Sequence, residues 1–143
     1  MSPAQFQRYL NQMSPNELIA LLHNWDLFAR PDQRPPSGNW LIWLLLGGRG
    51  SGKTRAGAEW VRARVNAGAS RIALVAPSLG EAREVMFEGE SGLSNIGFPS
   101  ERPKLISSRH RLEWPNGAIG QIFSSEDPDG LRGPQFDLSL IHI

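Results

Sequence analysis

One stretch constrains this chain more than any other: an apolar run that stops at a cluster of glycines, LLLGGRGSGKTRAG, residues 44–57. Trp40–Leu46 is apolar without alternation, the pattern of a strand covered on both faces within a parallel sheet. Four glycines then occupy positions 47–52, where neither helix nor strand is favoured. Lys53–Val65 follows with good helix formers, and its Glu59 is spaced to pair with Arg55 and Arg62. A buried strand, a glycine loop and a helix in that order predict the opening of a strand–helix–strand unit.

The downstream sequence continues the alternation. Arg71–Ala76, RIALVA, reads as a second buried strand closed by Pro77. Ser78-Leu79-Gly80-Glu81 is a capping box that opens a helix running to Gly89. Lys104–Ser107, Arg111–Trp114 and Ala118–Ser124 read as strands, the last two joined by the turn PNG at 115–117. SSEDPDGLRGPQFD, residues 124–137, is a loop, and LSLIHI, residues 138–143, is a last buried strand. The expected class is therefore α/β, with a mostly parallel sheet. Upstream, Ser14-Pro15-Asn16-Glu17 is another capping box, and RPDQRPPSGN at 30–39 is a linker or extended lead-in. Residues 1–34 are read as a helical lead-in and 35–143 as part of one larger domain.

The glycine stretch has its own chemistry. Gly47-Gly48-Arg49-Gly50-Ser51-Gly52-Lys53-Thr54 fits G-x-x-x-x-G-K-[ST], the P-loop. Such glycines let backbone N–H groups wrap a phosphate, and the following helix points its positive dipole end at the same anion. Lys53 then reaches the β- and γ-phosphates, and the Thr54 hydroxyl ligates Mg²⁺. ATP and Mg²⁺ are the expected ligands, and the class narrows to a P-loop NTPase three-layer sandwich. A glycine-rich turn with an incidental lysine is the plainer alternative.

Composition excludes several other classes. The chain has no cysteine, which rules out disulfides and thiolate metal sites and suits a reducing cytoplasm. A net charge of +1 supports no bulk attraction to nucleic acid or membrane. No apolar run approaches the roughly 18 residues of a membrane span, and the first residues lack a secretory layout. Only Lys53 and Lys104 among the 15 basic residues are lysines, and one of them lies in the glycine loop.

Other residues carry two readings each. Glu81, Glu84 and Glu88 form either a solvated acidic helix face or a metal site. Glu126, Asp127 and Asp129 are either turn chemistry or a cation site. Arg55, Arg62 and Arg64 are a charged helix face or a contact to DNA or another subunit. Trp40 and RPPSGNW either pack or help cradle adenine. His23 and His110 lack partners at a telling spacing and are read as structural.

With the P-loop placed, the surrounding residues resemble the large terminase subunit of tailed phages and related gene transfer agents. The resemblance is carried by LLLGGRGSGKTRAGAEWVR (44–62), ALVAPSLGEAREVMFEGESGL (73–93), ERPKLISSRHRLEWPNGAI (101–119) and FSSEDPDGLRGPQFD (123–137). It implies an ATPase that pumps double-stranded DNA into an empty capsid in the cytoplasm of a bacterial host. The implied partners are other subunits in a ring, a small terminase subunit and a portal, with a nuclease domain further along. Arg49 resembles the family's loop arginine, which contacts the γ-phosphate or couples hydrolysis to movement. Arg132 resembles an arginine that reaches a neighbouring subunit's nucleotide. Solvation at a loop apex for Arg49, and carbonyl bonding within its own loop for Arg132, are the alternatives.

The resemblance also implies an Asp-Glu pair at positions 142–143, ending the last strand, to hold Mg²⁺ and activate water. The chain has His142 and Ile143 there. Asp137 precedes that strand and is a poor substitute. The expectation is a domain truncated at its C-terminus that hydrolyses ATP poorly. A helicase-like P-loop ATPase and a decayed, non-catalytic nucleotide binder remain as rivals. Strand 40–46 is expected to lie centrally between 71–76 and 138–143, with open apolar edges that make the chain poorly soluble.

Overall fold

Serine caps open both leading helices. Ser2 Oγ accepts the Gln5 N–H and Ser14 Oγ that of Glu17, each at 3.2 Å, while Gln5 and Glu17 accept the serines' own N–H groups. With Pro3 and Pro15 as first residues these start α1 (Pro3–Gln12) and α2 (Pro15–Leu22). A short α3 (Trp25–Phe28) and a 3-10 turn, Pro31–Gln33, complete the lead-in. The structure, a computed structural model, describes all residues from Met1 to Ile143.

The remaining elements are α4 (Lys53–Asn66), β1 (Arg71–Ala76) and α5 (Leu79–Glu81), the last continued by a π-helical turn, Ala82–Glu88. Then come β2 (Lys104–Ile106), β3 (Arg111–Glu113), β4 (Ile119–Ser124) and β5 (Leu138–Ile141). They form one sheet in the order β2-β3-β4-β1-β5. β1 pairs in parallel with both β4 and β5, Ile72 lying opposite Gly120 and Leu138. β2 and β3 extend the sheet antiparallel beyond β4. The α/β class with a parallel centre is as expected.

Alternation along the strands divides the core. Ile72 and Leu74 of β1, Leu112 of β3 and Ile122 of β4 face α4, packing on Val61 and Val65. Met86, Leu93 and Ile96 close that side. Ala73, Val75 and Phe123 point to the other face, where Leu131 and Phe136 of the 124–137 loop cover them. The helical layer thus lies on one face of the sheet and a loop lies on the other.

α4 runs back along β1. Asn116, in the turn before β4, donates to the Val65 carbonyl at 3.2 Å, so the end of α4 lies near the start of the parallel strands. At its second turn Gly57 abuts Leu140 near the end of β5, where a Cβ would come within 2.9 Å of Leu140 Cδ1. The glycine loop therefore enters α4 at the carboxyl ends of the parallel strands, the edge where ligands of α/β sheets bind.

The expected central strand at 40–46 is corrected. Residues 40–46 belong to no strand, and none of their N–H groups donates to another backbone group. Leu41 is 100% exposed, Ile42 85% and Leu46 84%. β1 takes the centre of the sheet instead, between β4 and β5. A strand needs a ladder as well as apolar side chains, and 40–46 is paired to none. Its attachments are aromatic: Trp40 lies 6.1 Å from Trp43 and 5.9 Å from Trp60 of α4.

Candidate phosphate-binding loop

Residues 47–54 form a tight loop between that extended segment and α4. Ser51 N–H donates to the Gly48 carbonyl at 3.3 Å and closes the turn. Gly50 at φ 74° and Gly52 at φ 83° take the left-handed conformation that L side chains resist. Gly52 is also the N-cap of α4, whose first turn holds no acidic residue. The N–H groups of Gly52, Lys53 and Thr54 donate to nothing within the chain. Free amides, a positive helix end and no competing carboxylate are the features that favour an anion at a helix terminus.

Lys53 leans over the loop. Its Nζ donates to the Gly47 carbonyl at 2.5 Å, the Gly48 carbonyl at 2.9 Å and Ser51 Oγ at 3.2 Å. Thr54 is half-buried, and its hydroxyl makes no hydrogen bond within the chain. Arg49 stands exposed at the loop apex. The structure thus gathers Gly47, Gly48, Gly50, Ser51, Gly52, Lys53 and Thr54 into one site, with Arg49 at its rim.

Arg132 is not brought to that site. Its side chain is 85% exposed, and its ion pair is with Asp129 of its own loop at 3.5 Å. The carbonyl-bonding alternative is not what holds it. Among the acidic candidates Glu88 pairs with Arg83 at 2.6 Å, and no three His, Asp or Glu side chains are grouped so as to hold a metal ion. The π-helical turn breaks the register that would put Glu81, Glu84 and Glu88 on one face. His23 packs against Phe98, and His110 takes a left-handed turn conformation, φ 49°.

Behind the loop, α4 carries a charge network. Glu59 is buried and accepts from Arg55 at 2.8 Å and Arg62 at 3.3 Å, and Arg62 reaches on to Glu101 at 3.7 Å. The Arg55–Glu59–Arg62 spacing was legible from the sequence. Arg55 also lies over the Trp25 ring, 5.1 Å from its centroid, tying α4 to the lead-in.

Two residues that sequence reasoning passed over touch the loop directly. Arg30 Nη2 donates to the Ser51 carbonyl at 2.5 Å, and Gln33 Nε2 to the Gly52 carbonyl at 3.2 Å. They lie in the stretch read as a linker, and nothing in RPDQ marks it as a partner of residues about twenty positions later.

A sequence model of the family described as terminase large subunit, T4likevirus-type, N-terminal, matches residues 44–141. Among solved structures, the large terminase ATPase domain of Thermus phage P74-26 is similar. It has a TM-score of 0.49 and 22% sequence identity, and the match covers 66% of this chain and 44% of that one. No curated protein matches.

Proposed function

Since the chain belongs to the terminase large-subunit family of the T4-like-virus type, matched in its N-terminal part, we propose that loop 47–54 binds the triphosphate of ATP. In the whole protein this site would drive the packaging of double-stranded DNA. The observation that carries the reading is the loop itself. Left-handed glycines at 50 and 52 lead into a helix whose first amides are free and whose first turn holds no acid.

Each residue has a part. The free amides of Gly52, Lys53 and Thr54 face the phosphate tail, and Lys53 exchanges its two loop carbonyls for β- and γ-phosphate oxygens. Mg²⁺ fits beside Thr54, whose hydroxyl has no partner in the chain, and would supply charge neutralisation on the tail. Arg49 senses the γ-phosphate from the rim. Arg132, exposed and held only by Asp129, works across a subunit boundary in a ring. DNA is gripped through backbone phosphates without sequence preference. The small terminase subunit and the portal are the further partners proposed.

Turnover is a separate matter from binding. β5 ends at Ile141, and the next residues are His142 and Ile143, with no carboxylate to activate water. We therefore expect this chain to bind ATP better than it hydrolyses it, which keeps a non-catalytic binder as the second reading.

Calorimetric titration with Mg²⁺–ATP tests the proposal. Lys53→Ala should weaken binding at least tenfold, because a charge-assisted contact to phosphate is worth about 1.5–3 kcal/mol. Unchanged affinity would remove the loop from the nucleotide site. Placing Asp at 142 and Glu at 143 should raise turnover without raising affinity. Failure to gain turnover would favour the non-catalytic reading.

A further inference from the structure

The face of the sheet turned away from α4 holds a cavity of about 330 Å³ under the 124–137 loop. Strand alternation decides what lines it. Ile72 and Leu74 of β1 face α4, so Arg71, Ala73 and Val75 face the loop. On the same face Ile119 of β4 lies opposite Arg71, and Gln121 lies opposite Arg111 of β3. Two guanidiniums thus flank β4 and line the cavity, together with Phe123, Phe136, Gly130 and Pro134. The cavity is separate from loop 47–54, which enters α4 on the other face.

The chain leaves both guanidiniums with donors to spare. Arg111 Nε is buried without a hydrogen-bond partner, and Arg111 Nη1 stands 3.6 Å from Glu113, beyond hydrogen-bond length. Arg71 enters no ion pair. Gln121, between them, spends its amide N–H on the Arg109 carbonyl at 3.1 Å. An unpaired buried donor costs free energy that a bound acceptor returns. A carboxylate is the acceptor that meets a guanidinium fork with two parallel bonds.

The rest of the lining sets the body of the ligand. Phe123 and Phe136 meet edge to face with centroids 5.5 Å apart, an arrangement that a further ring extends. An apolar cavity of about 150 Å³ accommodates benzene, so a substituted ring has room here. Local charge limits the head group. Glu113 stands beside Arg111, and the Asp137 carboxylate accepts the Arg71 N–H at 3.0 Å. Two cations with two carboxylates nearby suit a single hydrogen-bonded carboxylate better than a phosphate dianion or a nucleic-acid backbone.

We propose that this cavity binds a small ring-bearing monocarboxylate, with its carboxylate on Arg71 and Arg111 and its ring against Phe123 and Phe136. The site stands whatever loop 47–54 binds. Its roof is the loop that carries Arg132, so an occupant lies directly beneath that segment.

Benzoate, titrated into the isotope-labelled full chain and followed by amide resonances, tests the proposal. It should shift Arg71, Gln121 and residues 130–136 and leave 47–54 in place. Acetate, which lacks the ring, and benzamide, which lacks the charge, should each bind about tenfold more weakly or worse. Arg71→Met and Arg111→Met should each weaken benzoate about tenfold, the loss of a charge-assisted bond. If Arg111→Met does not fold, Arg71→Met, at an exposed position, decides the matter alone. Phenyl phosphate binding more tightly than benzoate would overturn the assignment of a monocarboxylate. Shifts centred on 47–54, undiminished benzoate affinity in the folded variants, or no benzoate binding by the unaltered chain would each overturn the site itself.

Discussion

Two apolar runs of nearly the same character meet opposite fates in this molecule. Arg71–Ala76 lies at the centre of the sheet with Ile72, Leu74 and Ala76 fully buried, paired on both sides. Trp40–Leu46 is richer in large apolar side chains, yet it is unpaired and mostly exposed. Apolar content therefore does not make a strand here. What separates the two is backbone pairing: β1 exchanges hydrogen bonds with β4 and β5, and 40–46 with nothing. The exposed run leaves apolar surface, and β5, at the edge of the sheet, leaves unpaired backbone.

The contrast is broken most directly from the buried side. Leu74→Ala empties a fully buried position between α4 and the sheet and should cost about 2–5 kcal/mol, read from chemical denaturation. Leu41→Ser, at a fully exposed position, should stay within about 0.5 kcal/mol of the parent chain while reducing concentration-dependent light scattering. Comparable losses from both would mean that 40–46 is packed after all and that the two runs do not differ.

The same contrast explains what could be read from the sequence. α4, β1 and β4 were legible because their patterns are local: helix formers with Glu59 between two arginines, and apolar runs bounded by Pro77 and PNG. The candidate loop at 47–54 was legible as a motif for the same reason, its glycines, Lys53 and Thr54 being contiguous. Trp40–Leu46 was misread because composition records a tendency and is silent about which edge is free to accept a ladder. The contacts of Arg30 and Gln33 were missed because they join carbonyls to side chains across about twenty residues, and carbonyls carry no sequence signature. The roles proposed for Arg49 and Arg132 rest on family resemblance, and within this chain both side chains stand in solvent.

The smallest effect expected, and the one that sharpens the contrast, concerns how β5 is seated while 40–46 is not. β5 is only four residues long, but it enters the ladder beside a pin. The Asp137 carboxylate accepts the Ser70 N–H at 2.8 Å, the Arg71 N–H at 3.0 Å and the Ser70 hydroxyl at 3.2 Å, and its own N–H donates to the Arg71 carbonyl. Those N–H groups, Ser70 first, hold the Asp137 carboxyl below its ordinary range. A carboxyl depressed in the folded state stabilises the fold above its unfolded value, about 4, and that contribution disappears as pH falls through the folded value. Asp137→Asn should therefore lower the melting temperature slightly at neutral pH and flatten its decline in acid, the two curves converging where the parent carboxylate is protonated. Parallel curves across the acid range would show that the pin does not seat β5, and that pairing with β1 alone distinguishes it from the free run at 40–46.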